Sequence, residues 1–256
     1  LQDDASGTIS GTPNLLLSNP SDVVKAVLLT VYPGTVAADF GASFATARAS
    51  LAAAGYGWAM RLEPMSFSEL RRKLGEQARA SLHLESGKWE YSYLATGPTA
   101  LLTLDADQDV LAESLIVSRT PRTQVRNSVR MRSHPDYRKS GADRFTRDSI
   151  REDLTQPGLT DRIQVDLEAD FINDAAVADA LGDFWLGQWK RPRAVVKLVT
   201  WWNVLAYEKY DAVAISNHAP LTAWGAALVF RIIGRRYLLG DEHPGRIALE
   251  LVEANA

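Results

Sequence analysis

The sequence contains no cysteine. That excludes disulfides, thiolate-held zinc, iron–sulfur clusters and a cysteine nucleophile. No window approaches the roughly 20 apolar residues needed to span a bilayer. Nor is there a strong excess of either charge: 28 Lys and Arg stand against 31 Asp and Glu, a net charge of −3. A molecule so balanced is not built, as a whole, to cling to nucleic acid or to an acidic membrane surface. Catalytic signatures are missing too. Gly41-Ala42-Ser43-Phe44-Ala45 lacks the second glycine of a serine nucleophile elbow, and Gly55-Tyr56-Gly57 has no third glycine for a phosphate-binding turn. None of His83, His134, His218 and His243 lies four residues from another, so a helical zinc site has no support. Asp105, Asp107 and Asp109 have the spacing that opens a calcium loop, but Val110 and Ile116 stand where the turn glycine and the bidentate glutamate belong.

What is present is a folded chain of ordinary composition, 46% apolar and 23% charged over 256 residues, enough for one large or two ordinary domains. The first residue is Leu1, followed by Gln2-Asp3-Asp4, without the basic and apolar parts of a signal peptide. A piece of a longer protein, a processed chain and an incomplete one all fit. Residues 5–13 are rich in Gly, Ser and Thr, and 1–18 is expected as a linker or the end of a preceding domain.

An α+β domain with three helices is expected over 19–98. Asn19 caps the first helix, Pro20 suits its first position, and Val23, Val24, Val27, Leu28 and Val31 form its apolar stripe. The second helix is expected over about Ser43 to Ala54, with Phe44, Ala47 and Leu51 inward. A capping box of Ser66 and Glu69 opens a third, reaching about Ser81. Residues 57–62 read as a short strand, and 82–94 as a hairpin turning at Ser86-Gly87. Gly97-Pro98 marks a boundary.

The rest, 99–256, reads as β-rich around one helix. A strand over 100–104 is followed by an expected short helix from Asp107 to Ser114, then extended chain over 115–118 and 127–132, an exposed loop from Ser133 to Phe145, and extended chain again over 159–171. Asn173 is the expected cap of a helix over 174–189 carrying Val177, Leu181, Phe184 and Trp185 on one face. Strands follow over 194–202, 212–215, 226–233 and 246–253, as a meander on which the helix packs.

Two features reach beyond scaffold. From Arg119 to Arg151 ten Lys and Arg face three Asp. Arg119, Arg122, Arg126, Arg130 and Arg132 are candidates to touch a phosphate backbone or an acidic partner face; the plainer reading pairs these arginines with acids elsewhere. Trp201-Trp202 offers two large rings. Strand alternation would place one on each face, as a core residue and an interface residue. Carboxylates are so plentiful that a hydrolytic pair can be chosen at will, which argues for none.

Leu17-Ser18-Asn19-Pro20-Ser21-Asp22-Val23-Val24, with the apolar helix after it, resembles the start of the hub proteins at the tip of tailed-phage tails. Asp39-Phe40-Gly41-Ala42-Ser43-Phe44, the capped helix at Ser66, the Gly-Lys strand at Ser86-Gly87-Lys88-Trp89, Arg126-Asn127-Ser128-Val129, Arg147-Asp148-Ser149-Ile150 and the alanine-rich helix from Ala175 are similar to further segments of that family. The chain departs at Lys209-Tyr210-Asp211, where many relatives have Gly-Asp before a strand. The resemblance implies an α+β protein with an antiparallel β-barrel-like domain, its helix packed against it, and a smaller helix-rich domain. It implies a virion component without catalysis or cofactor, a homotrimer around a DNA channel, joining tail tube and distal tail proteins to a spike or fibre. Such a protein is assembled in the host cytoplasm and ends in the virion; a missing N-terminal barrel would explain the start at Leu1. Two other readings remain open: a tail-associated cell-wall hydrolase, and a nucleic-acid-binding module acting through 119–151.

Overall fold

The computed structural model describes residues 1–61, 63–139, 141–155, 161–219, 221, 228–238 and 245–254. Among them the chain forms α1 (Pro20–Val31), α2 (Ser43–Ala53), α3 (Phe67–Glu76), β1 (Ala80–Glu85), β2 (Lys88–Tyr93), β3 (Leu102–Asp105), β4 (Ile116–Arg119), β5 (Ser128–Pro135), β6 (Phe145–Glu152), β7 (Gln164–Glu168), α4 (Ala175–Trp189), β8 (Ala194–Trp201), β9 (Ala212–Ser216), β10 (Val229–Leu238) and β11 (Arg246–Glu253). The class is α+β, with a six-stranded sheet curled into a half-barrel. Two compact units divide the chain. The first comprises Leu1–Leu94, Val129–Glu152 and Gln164–Phe184; the second comprises Ala95–Ser128, Asp153–Ile163 and Trp185–Ala256. Residues 129–152 and 164–184 therefore fold with the N-terminal helices.

In the first unit, helix starts are set by side chains that satisfy otherwise orphaned N–H groups. Asn19 Oδ1 accepts from the Ser21 N–H at 3.0 Å and starts α1, which buries Val23, Val24, Val27 and Leu28. Ser66 Oγ accepts from the Glu69 N–H at 3.2 Å and starts α3. That helix ends at Glu76, short of the expected Ser81. A Cβ on Gly75 would lie 2.8 Å from the Ala80 carbonyl oxygen, and Arg79 takes a left-handed φ of 51° that turns the chain into β1. The β1–β2 hairpin turns at Ser86 and Gly87 as expected, both at positive φ. α2 buries Phe44, Ala47 and Leu51. Its amino end is capped from outside: Glu90 on β2 accepts from the Ser43 hydroxyl, and from the Ser43 N–H at 3.4 Å. A Cβ at Gly41 would fall inside that carboxylate, 1.6 Å from Oε1.

The unit also holds a three-stranded sheet in the order β6-β5-β7. The expected loop from Ser133 is strand as far as Pro135, and the return strand β6 starts at Phe145. The amino-terminal part of α4 lies close to β5: a Cβ at Gly182 would come within 2.7 Å of Met131 Cγ. The cap of α4 is Asp174, whose Oδ1 accepts from the Val177 N–H at 3.0 Å, rather than Asn173. Residues 57–62, expected as a strand, contribute a single bridge between Trp58 and Ile172, and Leu62 lies outside the described residues. Residues 2–16 close a loop through a bridge between Gln2 and Leu16. Inside that loop, buried Asp3 accepts from the N–H groups of Asp4, Ile9 and Ser10 and from the Ser10 hydroxyl.

The second unit is built on a sheet in the order β3-β9-β10-β11-β8-β4. It is not a plain meander: β8 lies beside β11, and β3 adds in parallel to β9. Alternation along β8 and β11 brings Val196 opposite Leu251 and Leu198 opposite Leu249 on one buried face. Phe230, Ile232, Val213, Leu104 and Ile247 complete that core. A bulge between Ile232 and Gly234 resets the register of β10, so Arg235 and Tyr237 stand opposite Leu249 and Ile247. β10 is longer than expected at its carboxyl end, running to Leu238; residues 226 and 227 lie outside the described residues. The short helix expected over Asp107–Ser114 is a turn instead. Asp109 Oδ2 accepts from the Asp105 N–H at 2.8 Å, and Asp105 Oδ1 accepts from the Asp107 N–H at 2.9 Å, so these acids fold their own backbone.

Candidate functional site

The arginine-rich stretch divides between the two units. In the first unit its arginines stand among carboxylates brought from other elements. Arg130 Nε donates to Asp148 at 2.7 Å, and Arg132 donates to Asp166 at 2.8 Å. Arg147 and Arg151 both reach Asp179 of α4, at 2.8 and 2.6 Å. Arg144 donates to Asp170, a carboxylate only 5% exposed that also takes Lys73 Nζ at 2.8 Å. The Arg130 guanidinium holds the Asp148 carboxyl below the usual carboxylate range. At Asp179, burial pushes the carboxyl up, but hydrogen bonds from Arg147 and Ser149 outweigh it and the net direction is down. These six oppositely charged contacts join β5 to β6 and β7, join β6 to α4, and bring α3 and the turn before β6 to the segment after β7. Beside them, Arg72, Lys73, Glu76, Met131, Leu167 and Leu181 are among the residues lining a cavity of about 170 Å³.

In the second unit Arg119 ends β4 and Arg122 opens a short 3-10 turn; both side chains are exposed. Arg126, half-buried, donates through Nη1 to the carbonyls of Thr123 and Val125, each at 2.8 Å. Trp201 is 46% exposed, with the Arg246 guanidinium 4.8 Å above its ring, and Trp202 is 48% exposed. The expected split of the two rings between core and surface does not occur. β8 ends at Trp201, and Trp202 begins a 3-10 turn, so alternation stops between them. Of the seven candidates, Arg130 and Arg132 belong to the first unit and the other five to the second. Sequence reasoning missed the acids that organise the first unit, Glu90, Asp170 and Asp179, because each acts on residues tens of positions away. It also missed the ring stack of Trp185 on Trp189, 5.0 Å between centroids, although their spacing of four along a helix signals it.

Among the described residues no group of three or more metal-ligating side chains converges, and no helix is long and apolar enough to cross a membrane. His243 lies outside the described residues.

No protein-family model matches the sequence, and no curated protein matches it. Solved structures do. The tail protein from Neisseria meningitidis MC58 aligns over 77% of this chain with a TM-score of 0.51 and 14% identity. A chain of the virion of a native gene transfer agent particle aligns over 74% with a TM-score of 0.54 and 15% identity. The chain shares its fold with that tail protein and that virion chain. At such identities the likeness is one of fold. The chain spans 59% of the first of these tail and virion chains and 40% of the second.

Proposed function

We propose that the protein is a structural component of a phage or phage-derived tail. In this reading it is a hub subunit of the tail tip or baseplate that oligomerises around the tail channel and joins the tail tube to a spike or fibre. The observation that carries the proposal is the shared fold with the Neisseria tail protein and the gene transfer agent virion chain. The build of the second unit is in keeping with it. Its six-stranded sheet ends in two edge strands, β3 and β4, and exposes Leu101 and Ile116 beside them, at 62% and 61%. Edge strands with exposed apolar side chains suit assembly with further copies or neighbours. The work of such a protein is contact rather than turnover, so no residue is assigned a catalytic role.

The test is the mass of the full-length protein in solution, by sedimentation over a wide concentration range. A trimer, dissociating when charged residues replace Leu101 and Ile116, is the expected result. A monomer at the highest concentration, with unaltered behaviour of the variant, would sink the hub reading.

A further inference from the structure

Trp201 and Trp202 stand side by side at the end of β8, 46% and 48% exposed, although indoles are highly buried on average. Two consecutive residues of the second unit hold them from behind. Arg246 is in register with Trp201 across β11 and β8, and its guanidinium lies 4.8 Å over the Trp201 ring. Gly245 backs the other indole. A Cβ built there would lie 3.5, 3.7 and 3.8 Å from Nε1, Cδ1 and Cε2 of Trp202. Distances so nearly equal, to one ring atom and both its neighbours, put that point above the ring plane rather than beyond its edge. Each indole is thus covered on one face, and the accessible half of each residue presents the other. Asn203 follows in the same 3-10 turn. Its exposed side chain donates through Nδ2 to Asp109 Oδ1 at 3.3 Å. An amide has two N–H groups and a carbonyl oxygen, so this single bond leaves the others for a ligand.

We infer that this pair of indoles is a platform for carbohydrate, an oligosaccharide of neutral pyranose rings. A pyranose has a flat face of C–H groups, which packs on an aromatic ring, and a rim of hydroxyls, which asks for planar hydrogen-bonding groups. The open indole faces and the Asn203 amide offer the two next to each other. A quaternary ammonium also favours aromatic faces, but the Arg246 guanidinium behind Trp201 already carries that charge to the ring. A proline-rich peptide would use the rings and make no call on the amide. The inference is separate from the tail reading and stands or falls on its own measurement.

That measurement is calorimetric titration of the full chain with cello-, malto-, chito-, manno- and galacto-oligosaccharides. At least one is expected to bind with a Kd of about 1 mM or tighter. Trp201→Ala and Trp202→Ala should each weaken that binding about 10-fold, and Asn203→Ala about fivefold. Trp202→Tyr, which keeps an aromatic face, should stay within about threefold of the parent. Lys197→Ala, at an exposed position on the same strand, should stay within about twofold. Thermal melting establishes that each variant is folded. Absence of binding across the panel at about 10 mM sugar would overturn the inference. So would an affinity unchanged in the two alanine variants at tryptophan, or a loss in Lys197→Ala as large as in Trp202→Ala. Tighter binding of polyproline than of any sugar, lost in the same tryptophan variants, would overturn it in favour of a peptide partner.

Discussion

The two units solve the same problem with different chemistry. The second buries an aliphatic face produced by alternation along β8, β10 and β11, and most of its core side chains need nothing but apolar neighbours. The first buries apolar side chains too, Phe44, Leu74 and Ile172 among them, but adds buried or half-buried charges between its elements, with Asp22, Asp170 and Asp179 each drawing arginine or lysine from elsewhere in the chain. Apolar contacts are non-directional and tolerate small shifts. A buried carboxylate stabilises only while its partners stay in place, since its unpaired charge is expensive to keep from water. The first unit should therefore be the more sensitive of the two to removal of a charged partner.

Truncation in the second unit should give the largest single effect. Phe230, wholly buried, is expected to lose about 4 kcal/mol on replacement by alanine, read from urea unfolding. In the first unit Asp170→Ala should cost about 3 kcal/mol by leaving Lys73 and Arg144 without their carboxylate. A loss below about 1 kcal/mol would show that solvent already weakens this pairing, and would erase much of the contrast between the units. A gain is expected at Tyr210. It adopts φ of 71°, the left-handed region where a side chain is strained. Tyr210→Gly should stabilise by about 1 kcal/mol, visible as a raised midpoint.

The smallest effect concerns acid. Burial raises the Asp3 carboxyl, but hydrogen bonds from the Ser10 hydroxyl and from the N–H groups of Ser10, Ile9 and Asp4 prevail and lower it from 3.8 to about 2. Because the folded value is the lower one, the support Asp3 gives its loop is complete above about pH 4 and is lost as pH falls through about 2. Proteolysis of residues 2–16 should accelerate across that interval in the parent. In Asp3→Asn it should be fast already at neutral pH, with no added acid dependence from this position.

How much the sequence revealed follows the same division. Local rules carried far: Asn19 and Ser66 as caps, the inward Phe44, Ala47 and Leu51, the turn at Ser86-Gly87 and the alternation of β8 and β11 are all written in residues near one another. What escaped depends on distance along the chain. The meeting of Arg147 with Asp179, of Lys73 with Asp170 and of Ser43 with Glu90 joins positions 32, 97 and 47 apart. The parallel addition of β3 to β9 likewise depends on the whole sheet rather than on any short pattern. At Asp105–Asp109 the acidic residues suggested a helix start, yet their side chains bind their own backbone and shape a turn, a competition that Asp resolves either way. The candidate surface was legible as composition only. Which of its arginines would be neutralised became plain once α4 and β7 were in place around them.

The absent side chain at Gly41 makes two distant positions hereditary companions. Because the Glu90 carboxylate fills the volume a methyl group would need, a gene drifting toward alanine at 41 would first have to shorten the acid at 90. Doing so would strip the start of α2 of its acceptor. Ancestral reconstruction would expect the acid to leave before the glycine, with some new acceptor recruited to the helix in the interval.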